Sequence, residues 1–164
     1  MVGSFAVGKT SLVSRFVYHA FSEKYLATVG VRIDRKSIRL GERDVVLMVW
    51  DLAGQEESDW IRTTYTRGSS GHLLVADGTR PETVDEAVRI QQELASDLGP
   101  LPFVLVVNKT DLTDQWRVTN EAMEDLQAKG WHCVLTSAKT GDGVEAAFHA
   151  LAASIVAERD SDEG

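Results

Sequence analysis

Apolar residues recur along the chain with two different periods, and the period changes wherever polar punctuation intervenes. Leu12, Val13, Phe16 and Val17 repeat at helical spacing, which predicts a helix running to about Ala20. Residues 21–29 show no period and contain the polar cluster Ser22-Glu23-Lys24. Over 31–40 the alternation reads as a strand that loses phase near Arg35-Lys36, so a bulged edge strand guarded by charge is expected. A hairpin turn at Leu40-Gly41-Glu42-Arg43 leads into an apolar strand over 45–50. Residues 51–56 leave that strand as a loop, and 60–66 reads as a short helix.

From residue 72 onward the pattern is more regular. Residues 72–76 form a buried strand centred on Leu73-Leu74-Val75. Pro81 opens a helix whose inner face is Val84, Ala87, Val88, Gln91, Leu94 and Leu98, and Gly99-Pro100 ends it. Residues 103–107 are a continuous apolar run, the signature of a parallel strand covered on both faces. Thr119 can cap a helix through about Ala128 with Ala122 and Leu126 facing inward. The last strand is 133–135, and Val144, Ala147, Phe148, Leu151 and Ile155 mark the inner face of a final helix. Strands alternate with helices, so the fold class is α/β with a mostly parallel sheet.

Composition adds bounds. The 164 residues suit one domain, read as 1–158 with a short, solvated acidic tail at 159–164. A formal net charge of −8 argues against nucleic acid as the main partner and against a polybasic membrane contact. The single cysteine, Cys133, can form no internal disulfide; a buried structural thiol and a reducing, cytoplasmic setting are expected. No apolar run is long enough to span a bilayer and no signal peptide precedes the first motif.

That motif is Gly3-Ser4-Phe5-Ala6-Val7-Gly8-Lys9-Thr10, which fits G-x-x-x-x-G-K-[ST] without mismatch. Glycines at the two ends let a run of backbone N–H groups curl around a β-phosphate. Lys9 brings a point charge to the β- and γ-phosphates, and the Thr10 hydroxyl can ligate Mg²⁺. Further polar clusters fall just after strands, where an open α/β sheet gathers its ligand site. Asp51 can hold Mg²⁺ through water, the Gly54 N–H can meet a γ-phosphate and Gln55 can orient an attacking water. On the Asn108-Lys109-Thr110-Asp111 loop, the Asp111 carboxylate matches two adjacent donors such as guanine N1 and its exocyclic amine, a pair adenine lacks. The Lys109 stem can cover one face of the base, and the Ala138 N–H can donate to the guanine carbonyl.

With GSFAVGKT, YLATVGV, DLAGQE, NKTD and TSAK in this order and spacing, the chain resembles the Ras-like small GTPases, most closely the Rab branch, from Gly3 to about Ala157. The resemblance implies a P-loop NTPase three-layer sandwich with one antiparallel edge strand, binding GTP or GDP with Mg²⁺. It implies phosphate contacts at Ser4, Phe5, Ala6, Val7, Gly8, Lys9, Thr10, Ser11, Thr28 and Gly54. Its metal ligands would be Thr10, Thr28 and Asp51, and its catalytic residues Gln55 and Lys9. Phe21, Asn108, Lys109, Asp111, Ser137, Ala138 and Lys139 would surround the guanine, with Phe21 packed edge-on. Switch loops near 23–32 and 53–67 would bind effectors, and a GAP and an exchange factor are implied partners. An aromatic triad on the Rab effector face corresponds here to Ile33, Trp50 and Tyr65; core packing is the other reading of Trp50 and Tyr65.

Three departures matter. The C-terminal residues hold no cysteine to prenylate, so no stable membrane anchor is expected. Phe5 stands where relatives carry a small residue, and the resemblance implies that it faces the γ-phosphate, Gln55 and any incoming arginine finger; Ala6 replaces another frequent glycine and is expected in a conformation alanine tolerates. Only Met1-Val2 remain of a first strand that is central in the family, so a natural start upstream of Met1 is expected. The leading function is a slow, Mg²⁺-dependent GTPase switch. The alternatives are a GTP-binding interaction module with negligible hydrolysis because Phe5 blocks the site, and a truncated, inactive piece.

Overall fold

The computed structural model describes residues 1–24, 27–52, 64 and 66–162. Its elements are β1 (Val2–Gly3), α1 (Lys9–Tyr18), β2 (Val31–Leu40), β3 (Arg43–Leu52), β4 (His72–Asp77), α2 (Glu82–Leu98), β5 (Phe103–Asn108), α3 (Asn120–Ala128), β6 (Cys133–Leu135) and α4 (Val144–Asp162). A 3₁₀ turn at Thr113–Gln115 precedes α3.

β1, β4, β5 and β6 form a parallel sheet in that order. Successive residues of its inner strands serve opposite faces. Leu73, Val75, Val104 and Val106 pack with Leu12, Phe16, Val144 and Phe148 on the α1–α4 side. Leu74, Ala76, Leu105 and Val107 pack with Val84, Ala87, Ile90 and Leu94 on the α2 side. This is why 72–76 and 103–107 read as unbroken apolar runs: both faces of the sheet are covered, and three layers result. Phe16 and Phe148 stack at 3.9 Å between ring centroids and lock α1 to α4. Gln91 sits on the buried face of α2 because its Oε1 meets His72 Nε2 at 2.6 Å, which satisfies both groups.

β2 and β3 make a separate antiparallel pair. The register runs without a break from Val31↔Leu52 to Leu40↔Arg43, so the expected bulge is absent. The loss of phase at Arg35-Lys36 has another cause: Lys36 lays its ammonium over the Phe16 ring at 5.6 Å, so a charged residue occupies an inward position. Gly41, at φ 57, takes the first turn position, the sign a tight hairpin needs there. β1 contributes one two-residue ladder to β4, and the Met1 ammonium donates to Trp50 O at 2.8 Å, so the start of the chain lies against β3.

Three further expectations change. Cys133 is half-buried, and that burial pushes its thiol pKa up. α4 continues through Asp162, so the expected tail is helical as far as it is described, with Arg43 Nη1 pairing with Asp160 Oδ2 at 2.7 Å. Trp50 is not core: it pairs across the ladder with Ile33, and the two are 40% and 48% exposed. Tyr65 and most of the helix expected at 60–66 lie outside the described residues. Among the described residues no helix is long and apolar enough to cross a membrane.

Candidate functional site

β1, β4, β5 and β6 all end at one edge of the parallel sheet, where an open α/β sheet presents its ligand crevice. A cavity of about 510 Å³ opens there, of a size that suits a small-molecule ligand. Phe5, Ala6, Val7, Gly8, Lys9, Thr10, Ser11 and Thr28 line one end; Asn108, Lys109, Asp111, Ala138 and Lys139 line the other, and Phe21 belongs to the same lining. Ser4, Asp51 and Ser137 stand behind this lining, and Gly54 and Gln55 lie outside the described residues.

The loop before α1 is held by its two glycines. A Cβ on Gly3, at φ 150, would stand 2.2 Å from Val75 O, and one on Gly8, at φ 103, would stand 2.3 Å from Asn108 Nδ2. Lys9 folds back inside the loop, 6% exposed, and donates to Gly3 O at 2.6 Å and Ser4 O at 3.1 Å. The first turn of α1 carries no acidic residue, so its positive end and the Lys9 ammonium together favour an anion.

Ala6 is at φ 58, in the small left-handed region that alanine tolerates at a cost of about 1–2 kcal/mol. Its carbonyl is held by Lys109 Nζ at 2.9 Å. Relief of backbone strain, less the greater freedom of glycine when unfolded, makes Ala6→Gly stabilising by about 0.5–1 kcal/mol. Urea unfolding without nucleotide checks this; a destabilised variant would show that the loop does not strain Ala6.

Beside Lys9 three oxygens converge. Thr10 Oγ1 lies 2.5 Å from Thr28 Oγ1 and donates to Asp51 Oδ2 at 2.5 Å. Asp51 is fully buried, and its Oδ1 has no hydrogen-bond partner among the described residues. Burial pushes its carboxyl above the ordinary carboxylate value, against the smaller opposing pull of the Thr10 hydroxyl. A buried carboxylate oxygen without a partner beside two hydroxyls is a donor set that suits a hard dication such as Mg²⁺.

At the other end, Asp111 Oδ1 accepts from Ser137 Oγ at 2.6 Å, so buried Ser137 orients the carboxylate rather than lining the cavity itself. Asn108 is 2% exposed and is a brace: its Nδ2 donates to Val7 O at 3.1 Å, and its Oδ1 accepts from Thr136 Oγ1 and from Ala138 N, each at 3.1 Å. The Ala138 N–H expected to face a ligand carbonyl is thus shared with Asn108. Lys109 sits at φ 77, with its Nζ 2.6 Å from Asp77 Oδ2. Phe21 stands at the rim, 37% exposed, and Lys139 Nζ pairs with Glu23 Oε1 at 3.1 Å.

Three residues of this region escaped the sequence reading. Arg15 Nε donates to Ala138 O at 2.8 Å, and its Nη2 donates to Lys139 O. Asp77 and Arg80 tie the loop before α1 to Lys109, through Arg80 to Phe5 O and Asp77 to both cations. Asp77 ends an apolar strand, so the same rule that singled out Asp51 was a signal for it; nothing in the spacing pointed to Arg15.

A glycine-bounded loop closed on a buried lysine, at the carboxyl edge of a covered parallel sheet, defines a P-loop nucleotide-binding protein. A family model described as "Ras: Ras family" matches residues 1–157. The chain is 36% identical to the Ras-related protein Rab-4 of Dictyostelium discoideum over 99% of its own length and 80% of that protein's. It is 35% identical to Rab-8A of Bos taurus, over 98% and 78% of the two chains, and 34% identical to RABA4b of Arabidopsis thaliana, over 94% and 70%. The chain belongs to the Ras family, as a small GTPase of Rab-like type.

Proposed function

We propose that the chain is a Mg²⁺-dependent guanine-nucleotide switch that hydrolyses GTP slowly. One observation carries this reading: a single cavity has the Lys9 ammonium and the α1 N-terminus at one end and the Asp111 carboxylate at the other. The phosphates lie along residues 4–11, where Lys9 and the loop amides neutralise their charge. Thr10, Thr28 and Asp51 would hold Mg²⁺, which when bound screens the phosphate oxygens. Asp111 accepts from guanine N1–H and the exocyclic amine, Lys109 covers one face, and Phe21 meets the base edge. Gln55 orients the attacking water and Gly54 donates to the γ-phosphate. Loss of that phosphate frees Thr28 and Gly54, and the loops around them change affinity for effectors. The exposed Ile33–Trp50 pair is the apolar surface effectors would use.

Phe5 sets the rate. Phe5 belongs to the lining of the cavity, and a ring facing the γ-phosphate would compete for the space of the attacking water and of a partner's arginine. If it closes that space entirely, the chain is instead an interaction module that holds GTP without turnover. Single-turnover hydrolysis of GTP with Mg²⁺ decides the matter. Phe5→Gly is expected to raise the rate by about tenfold or more, since even a small misplacement of the reacting groups costs up to about 10². An unchanged rate removes the blocked-site account.

A further inference from the structure

The turn between β4 and α2 sends a side chain across to the phosphate loop. Arg80 Nη2 donates to Phe5 O at 2.8 Å, and Arg80 Nε pairs with Asp77 Oδ2 at 3.1 Å. The same Asp77 oxygen accepts from Lys109 Nζ at 2.6 Å, and Lys109 holds the neighbouring Ala6 carbonyl at 2.9 Å. Two adjacent carbonyls of the phosphate loop are therefore gripped by two cations that share one carboxylate, itself 1% exposed. Asp77 Oδ1 accepts from Thr79 N and Thr79 Oγ1, so the carboxylate has a partner on each oxygen.

The backbone of Arg80 is fixed as well. Its N–H donates to Asp77 O at 2.9 Å, and its carbonyl accepts from Thr83 Oγ1 at 2.7 Å, just ahead of Pro81 and α2. The guanidinium is thus presented from a rigid corner, and its planar fork serves two acceptors at once.

We propose that Arg80, anchored by Asp77, is a positioning residue that clamps the phosphate loop at the Phe5 carbonyl, fixes the Phe5–Ala6 backbone against the nucleotide and slows its release. The clamp explains how a loop with a bulky residue at Phe5 and a strained one at Ala6 keeps its shape. Both carbonyls are taken by cations, which leaves the loop amides to meet an anion. The inference rests on the guanine-nucleotide reading for its kinetic consequence alone.

Two measurements on the full chain separate the two. Arg80→Ala removes a side chain that is 37% exposed and leaves Asp77 bonded to Lys109 and Thr79, so the fold is retained. Release of labelled GDP is expected to quicken about tenfold, the size of one charge-assisted hydrogen bond. Arg80→Lys, which lacks the fork, should stay within about twofold of Arg80→Ala. Hydrogen exchange without nucleotide should rise in peptides covering residues 3–9 and not in β5. A wild-type release rate together with unchanged exchange in Arg80→Ala overturns the clamp, and full rescue by Arg80→Lys overturns the bridging role of the fork. A wild-type protein that retains no labelled GDP overturns the guanine reading instead, and the exchange measurement still decides the clamp.

Discussion

Replacing Asp111 by asparagine is expected to move base preference from guanine to xanthine. In the proposed pose the carboxylate accepts two hydrogen bonds, from guanine N1–H and from the exocyclic amine. Each such charge-assisted bond contributes about 1.5–3 kcal/mol, so losing one costs guanine roughly 10- to 150-fold in affinity. An amide can still accept from N1–H, while its NH₂ now faces the guanine amine, donor against donor. Xanthine has an oxygen at that position, so the amide NH₂ finds an acceptor. The substitution suits the site because Ser137 Oγ, 2.6 Å from Asp111 Oδ1, can donate to an amide oxygen as it does to a carboxylate. Competition of GDP and XDP for a labelled nucleotide gives the answer. Unaltered guanine preference would place the base somewhere other than beside Asp111.

Removing the ammonium of Lys9 is expected to abolish useful nucleotide binding. Lys9 is 6% exposed, and its ammonium is held inside the loop by the carbonyls of Gly3 and Ser4. Truncating one partner of a desolvated, hydrogen-bonded charge pair costs about 2–5 kcal/mol, so Lys9→Ala should weaken GDP binding by roughly 30- to several thousand-fold. The same change deprives two loop carbonyls of a donor, so the variant's unfolding without nucleotide must be measured beside its affinity. Loss of affinity with little loss of apo stability is the expected pattern. An affinity within a few-fold of wild type would mean that the phosphates do not lie along this loop.

Much of the candidate site was legible from local chemistry. The spacing of Gly3, Gly8, Lys9 and Thr10 states a phosphate loop by itself, and the structure closes that loop around Lys9 as the pattern requires. Asp51 was singled out because it ends a strand and Asp111 because it follows one; Asp51 meets the first turn of α1 through Thr10 although β3 lies outside the parallel sheet, and Asp111 follows β5 at that sheet's carboxyl edge. Roles assigned by residue type fared less evenly. Asn108 and Ser137 carry the right polar atoms, yet the structure uses Asn108 to tie Val7 to Ala138 and Ser137 to aim Asp111. Residue type gives what a side chain can bond to; which partner lies nearest is settled by the neighbouring loops.

Sequence by itself determined the α/β class, because unbroken apolar runs at 72–76 and 103–107 can be accommodated only where both faces of a strand are covered. It also determined the Ras-family membership, through short motifs whose order and spacing survive without any coordinates. Tertiary structure alone decided that β2 and β3 pair in unbroken register apart from the parallel sheet, that Ala6 adopts a left-handed backbone, and that Arg80 reaches Phe5 O across 75 positions of chain. The physical reason is the range over which each signal acts. Period and turn chemistry are written in residues a few positions apart, whereas contacts between loops depend on which strands lie side by side, and no local pattern records that.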